Sequence, residues 1–269
     1  MPRLFVLLAA LCGAGFVAAG SAPPEAPTRP AEKTEKTEKA EKPVRVAVFA
    51  GGGASKTKGP AANEVEKTPG FEVRLVTGED IRAGRLKDVR VLIQPGGSGS
   101  GQAKDLGEEG RAKVKEFVKN GGGYIGICAG AYLASRSYDW SLHILDAEVL
   151  DRAHWARGTG DVELKLSPKG KDFFAAKAEK VTVYYGQGPL LAPGKDPAIP
   201  DYEELATYET EIHSRNGAQP GVMKGTTAAA RGTFGSGRVF CFSPHPEKTD
   251  SPEAKAMFRK ALHWTAGKE

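Results

Sequence analysis

Residues 121–135 read GGGYIGICAGAYLAS. Within them "GYIGIC" (123–128) has the look of a short buried strand, and "AGAYLAS" starts a helix. Cys128 therefore falls on the turn between the two. The stretch G-x-C-x-G around it (Gly126 to Gly130) puts small residues on both sides of the sulfur, as a sharp strand-to-helix turn requires, because larger neighbours would clash there. Such a turn exposes the side chain at the top of a sheet and sets it at a helix N-terminus, where the dipole and free N–H groups favour a thiolate. The bland alternative is a buried structural cysteine, since cysteine is among the most buried residue types.

Working outward, the same strand-loop-helix grammar repeats. "VRVAVFAGGG" (44–53) is an apolar run ending in three glycines, "FEVRLVT" (71–77) is a second strand, and "VRVLIQPGGSGSG" (89–101) is a third that again ends in glycines. Residues 103–119 carry Leu106, Val114, Phe117 and Val118 at helical spacing, closed by Asn120-Gly121. This alternation predicts an α/β fold with a doubly wound, mostly parallel, flavodoxin-like sheet. Sites in such sheets lie beyond the carboxyl ends of the strands, where the Gly51–Gly53 loop, the Gly96–Gly97 loop and Cys128 all fall. The second half is less regular. "LHILDAEVL", "DVELKLS", "KVTVYYG", "LATYET" and "TTAAARGTFG" read as strands added antiparallel on one side, "GRVFCFS" (237–243) as a strand, and 251–264 as a closing amphipathic helix capped by Ser251.

The N-terminal segment reads differently. Arg3, the apolar run Leu4–Val17 and the small residues Ala18 to Ala22 predict a signal peptide over 1–20, cleaved after Gly20 or Ala22, and hence an exported protein. An uncleaved membrane anchor and a lipid-modified Cys12 are the alternatives. Residues 21–42, Pro-rich and then alternating Glu and Lys, hold no apolar residue larger than Ala and read as a disordered linker. Any membrane tether would lie in this N-terminal part. The domain itself is expected over 43–269.

The formal charge is +5, with basic residues scattered and no run interleaved with aromatics, which argues against nucleic-acid binding. No His/Cys/Asp spacing suggests a metal, and no Gly-rich loop carries the Lys-Ser/Thr of a phosphate site, so no cofactor is expected. Without Cys12 the cysteines are Cys128 and Cys241, and a disulfide between them stays open beside a core role for Cys241.

A nucleophilic thiol needs a base, and the base needs an orienting group. "FCFSPHPE" supplies both at the end of a strand, with His245 as base, Glu247 as its orienter, and Pro244 and Pro246 stiffening the loop. The backbone N–H of Ala129 points where an oxyanion would form, and Gly97 is the second expected donor. "YYGQGPLL" places Tyr185, Gln187 and Gly188 after a strand as a substrate-binding wall.

G-x-C-x-G followed about 100–120 residues later by an apolar strand and His-Pro-Glu resembles the triad of class I glutamine amidotransferase-like proteins. "GGGYIGICAGAYLAS", "VFAGGGAS" and "YYGQGPLL" resemble, more narrowly, the biotin-protein ligase N-terminal domain family of that superfamily. The resemblance implies Cys128 as nucleophile, His245 as base, Glu247 as orienter, and Gly97 and Ala129 as oxyanion donors. It does not imply biotin ligation, which needs a separate adenylate-forming domain that nothing here matches. With no synthase domain to receive ammonia, the expected activity is hydrolysis of an amide or γ-glutamyl bond in a small-molecule or peptide substrate. An inactive ligand- or partner-binding module and a redox protein using Cys128 are the competing readings.

Overall fold

Among the described residues eleven strands form one mixed sheet, in the order Phe71–Val76 (β2), Val44–Phe49 (β1), Val91–Gln94 (β3), Gly123–Ile127 (β4), Gly237–Phe242 (β11), Thr227–Phe234 (β10), Glu203–Tyr208 (β9), Gly160–Leu166 (β6) and Lys180–Tyr185 (β7), with Leu190–Pro193 (β8) pairing β10 and Ala147–Leu150 (β5) pairing β8. The computed structural model describes residues 42–268. The expected signal peptide and linker, up to residue 41, lie outside them.

The parallel core comes from the apolar runs found in the sequence. β1 (Val44–Phe49), β2 (Phe71–Val76), β3 (Val91–Gln94), β4 (Gly123–Ile127) and β11 (Gly237–Phe242) run parallel to one another. All four residues of β3 and all five of β4 are buried, as strands covered on both faces must be. One face is covered by α1 (Pro60–Glu66), α5 (Pro168–Phe174) and α6 (Pro252–Ala266), through residues such as Val65, Phe173 and Phe258. The opposite face is covered by α2 (Gly78–Arg82), α3 (Gly99–Lys119) and α4 (Ala129–Ala134), through Ile81, Leu106 and Ala131. The sheet is thus doubly wound.

The antiparallel additions hold one strand more than the sequence suggested, β8 (Leu190–Pro193). They comprise β5 (Ala147–Leu150), β6 (Gly160–Leu166), β7 (Lys180–Tyr185), β8 (Leu190–Pro193), β9 (Glu203–Tyr208) and β10 (Thr227–Phe234). "LHILDAEVL" is a strand only over its last four residues; β8 escapes periodicity because it is four residues long, and the helices α1, α2 and α5 because each is a turn or two long. α3 also starts earlier than expected. Ser98 caps it by accepting from the Gly101 N–H, and Gly107, at φ 65° and ψ −178°, breaks its ladder. Glycine at 99, 101 and 107 hides this first segment from a search for helical spacing.

Both cysteines are free. Cys241 packs on the α2–α4 face and Cys128 with the α1–α6 face, so the sheet stands between their side chains and no disulfide links them.

Candidate active site

Cys128 follows the last residue of β4 with φ 52° and ψ −101°, a conformation a non-glycine residue adopts only under constraint. The constraint is visible on both sides of it. Its N–H donates to the Phe242 carbonyl of the neighbouring strand at 2.9 Å, and its own carbonyl accepts from Ala131 and Tyr132, opening α4. An added Cβ at Gly126 would come within 2.5 Å of the Gly130 carbonyl, and one at Gly130 within 2.0 Å of the Gln94 carbonyl. The G-x-C-x-G pattern is therefore steric, since a side chain at either glycine would push the turn open.

His245 enters from the loop after β11. Its backbone is tied on both sides: its N–H donates to the Tyr184 carbonyl at 2.8 Å, and the Thr249 hydroxyl donates to its carbonyl at 2.8 Å. Nδ1 hydrogen-bonds Glu247 Oε1 at 2.8 Å. That leaves Nε2 on the Gly186 side of the ring, next to the Cys128 side chain. The ring lies in a slot walled by two glycines. A Cβ at Gly96 would lie 2.5 Å from Cε1, and one at Gly186 would lie 2.8 Å from Nε2. His245 and Glu247 are 2% and 5% exposed. Burial alone would lower the imidazole pKa, but the neighbouring Cys128 and Glu247 side chains outweigh it and raise it to about 9. Cys128 Sγ also donates to the Gly186 carbonyl at 3.4 Å.

Gly97 is held by the first glycine loop. Its φ of 137° lies in the left-handed half of the map, a Cβ there would reach within 2.1 Å of the Gly53 carbonyl, and that carbonyl accepts from the Ser98 N–H at 2.7 Å. Gly97 and Cys128 line one cavity of about 450 Å³. Ala129, the first residue of α4, has no carbonyl one turn back to receive its N–H.

The expected substrate wall needs correction. Gln187 lines the cavity, at φ 69°, with its carbonyl accepting from the Tyr132 hydroxyl at 3.3 Å. Tyr185 and Gly188 do not. Tyr185 is fully buried on β7, where alternation turns it into the core, and its hydroxyl donates to the Gly188 carbonyl at 2.9 Å. A Cβ at Gly188 would collide with the Ser243 carbonyl, 1.9 Å away. Both residues hold the loop that presents Gln187.

Sequence reasoning missed the aromatic side of the cavity, formed by Tyr132, Tyr138, Trp140 and Trp155, together with Arg152. These lie in α4 and the irregular segments after it, where no periodicity or motif gathers them. Among the described residues no group of three or more His, Cys, Asp or Glu side chains is arranged to hold a metal.

Comparison with known proteins agrees with this architecture. Residues 44–156 match the family described as "Biotin-protein ligase, N terminal". The Schizosaccharomyces pombe biotin–protein ligase is 36% identical over 62 residues, 23% of this chain but only 10% of the ligase's own length. The phosphoribosylformylglycinamidine synthase subunit PurQ of Dehalococcoides mccartyi is 26% identical over 195 residues, covering 66% of this chain and 76% of that protein. Among solved structures, PurLQS from Thermotoga maritima superposes with a TM-score of 0.60 at 20% identity, over 83% of this chain and 99% of the matched one. The domain thus has the class I glutamine amidotransferase-like fold, and its residues 44–156 carry the pattern of the biotin-protein ligase N-terminal family.

Proposed function

We propose that this domain is a cysteine hydrolase of an amide or γ-glutamyl bond, with Cys128 as nucleophile, His245 as proton relay and Glu247 as the group that orients the imidazole. The reading rests above all on one observation: a thiol at a strained strand-to-helix turn lies beside an imidazole whose Nδ1 is held by a buried carboxylate.

The proposed reaction runs in two halves. Cys128 passes its thiol proton to His245 as Sγ attacks the amide carbonyl, and the oxyanion accepts from the backbone N–H groups of Gly97 and Ala129. The C–N bond breaks as the His245 imidazolium protonates the leaving amine, leaving a thioester on Cys128. Water then attacks the thioester with its proton passing to His245, the S–C bond breaks as His245 returns that proton to Sγ, and the carboxylic acid leaves. The raised imidazole pKa suits the first half, because it favours uptake of the thiol proton that the leaving amine then receives. Burial of Glu247 suits both halves, because a carboxylate shielded from water holds one ring orientation. The sequence of residues 1–22 supports export of the domain, so the substrate would be met outside the cytoplasm.

Incubation of the full chain with a panel of amides, followed by intact mass, tests the reading. The expected result is an acyl adduct on Cys128 that accumulates with good substrates and is absent in Cys128→Ala. If the Cys128 alkylation rate in the native wild type equals that in His245→Ala and in the urea-unfolded chain, thiol catalysis is the wrong reading.

A further inference from the structure

The cavity over Cys128 has a chemical character that the hydrolase reading alone does not require. Tyr138 and Trp140 are stacked, with centroids 4.5 Å apart and planes 18° from parallel, and Tyr132 leans on Tyr138 at 6.2 Å. Trp155, 52% exposed, lines the same cavity. An indole left half in water at the wall of the cavity that Cys128 lines offers apolar surface to a ligand. Among the described residues Arg152 is the sole Asp, Glu, Lys or Arg lining the cavity. Its guanidinium lies 5.4 Å from the Tyr138 ring centre, and Nη1 donates to the Ser137 carbonyl at 2.6 Å.

The rim that carries Arg152 and Trp155 is pinned rather than loose. Asp151, at φ 49° and ψ 47°, holds His154 Nδ1 at 2.5 Å with one oxygen and Arg157 Nη2 at 2.6 Å with the other. Arg157 is 1% exposed. Removing Asp151 would leave that cation buried without its counter-charge, so the rim is tied to the core by a contact that is costly to break. Preformed aromatic walls bind with less ordering cost than mobile ones.

We infer that this cavity selects amides that carry an aromatic or bulky planar group beside the scissile bond, with an anionic substituent at the Arg152 end, and that it discriminates against substrates with a free ammonium. The inference rests on the hydrolase reading and narrows it. A γ-glutamyl substrate with a free amino terminus brings an ammonium best met by a carboxylate, and among the described residues no carboxylate lines the cavity. A ring sliding over Trp140 and Trp155 and a carboxylate or sulfonate reaching Arg152 would each find a partner. The volume of about 450 Å³ is of the size that holds such a molecule.

Four alkylating probes test this on the full-length protein: iodoacetamide, N-phenyl iodoacetamide, its 4-carboxy derivative and its 4-aminomethyl derivative. Each forms an S–C bond at Cys128 and releases iodide, and each rate is divided by its rate with glutathione. The expected normalised order is carboxy above phenyl above iodoacetamide, with the phenyl advantage roughly tenfold. The aminomethyl compound should lose most of that advantage. Trp155→Ala, at an exposed position, should shrink the phenyl-to-iodoacetamide ratio, and Tyr138→Ala with Trp140→Ala should shrink it further. Arg152→Ala should erase the gain from the carboxylate while keeping the phenyl ratio. Equal normalised rates for the phenyl compound and iodoacetamide, or a ratio that all of these variants leave intact, overturn the inference while leaving the hydrolase reading standing. A native Cys128 that no probe alkylates overturns both.

Discussion

Cys128 and Cys241 are 5% and 0% exposed; Cys241 lies on β11 and pairs with Gly126, while Cys128 lies just past the end of the neighbouring β4. Accessible area barely separates them, and everything else does. Cys241 sits within a regular strand, in an apolar cluster, and burial pushes its thiol well up. Cys128 sits just past a strand end at a backbone angle that costs energy, beside an imidazole and at the wall of a cavity. What distinguishes an inert thiol from a candidate nucleophile here is the backbone turn and the partner groups, not the degree of burial.

The sharpest way to break that contrast is native-state alkylation with iodoacetamide, mapped by peptide mass. Cys128 should react at least about 100-fold faster than Cys241, which must wait for the sheet to open, and the two should react alike in urea. Parity in the native protein would dissolve the distinction. Next in size, His245→Ala should slow labelling of Cys128 by roughly 10- to 100-fold and leave Cys241 untouched, read from the same digest. Stability should show the opposite ranking. Cys241→Ser buries a hydroxyl in an apolar cluster and should cost about 1–3 kcal/mol in urea unfolding. Cys128→Ser, beside a carbonyl and an imidazole able to bond it, should cost less than Cys241→Ser. Gly96→Ala tests the slot around the ring. Its Cβ would lie 2.5 Å from His245 Cε1, so the ring must move, and Cys128 labelling should fall about tenfold with the fold intact by circular dichroism.

The smallest effect concerns pH. The His245 pKa is raised from 6.5 to about 9, so the stability it contributes is complete below pH 6.5 and is lost as pH rises through 9. Between pH 6.5 and 9.5 the wild type should therefore lose more thermal stability than His245→Gln, by about 2–4 °C in Tm. An equal loss in both would mean that the imidazole contributes no such linkage.

Much of the architecture was legible because it depends on local rules. Continuous apolar runs such as "VRVAVF" and "VRVLIQ" can be satisfied only as strands covered on both faces, and glycines after them mark the loops at the strand ends. The spacing of Gly126, Cys128 and Gly130 marked the turn, and "PHPE" marked the loop that meets it. The substrate wall was less legible. Tyr185 and Gln187 are two residues apart, yet one points into the core and the other lines the cavity, because β7 ends between them and the chain turns through a positive φ at Gln187. Of the six antiparallel strands only β8 escaped the sequence, because a strand of four residues between irregular links carries no readable period.

The sequence by itself determined the doubly wound core, the sharp turn at Cys128 and the identity of its candidate partners, since each follows from steric and hydrophobic demands acting over a few neighbouring residues. Only the tertiary structure decided that Gly96 and Gly186 wall the imidazole, that Cys241 faces away from Cys128, and that four aromatic rings and Arg152 gather over the sulfur. Those contacts join segments far apart in the chain, and packing distance across a sheet or a cavity leaves no periodicity in the order of residues.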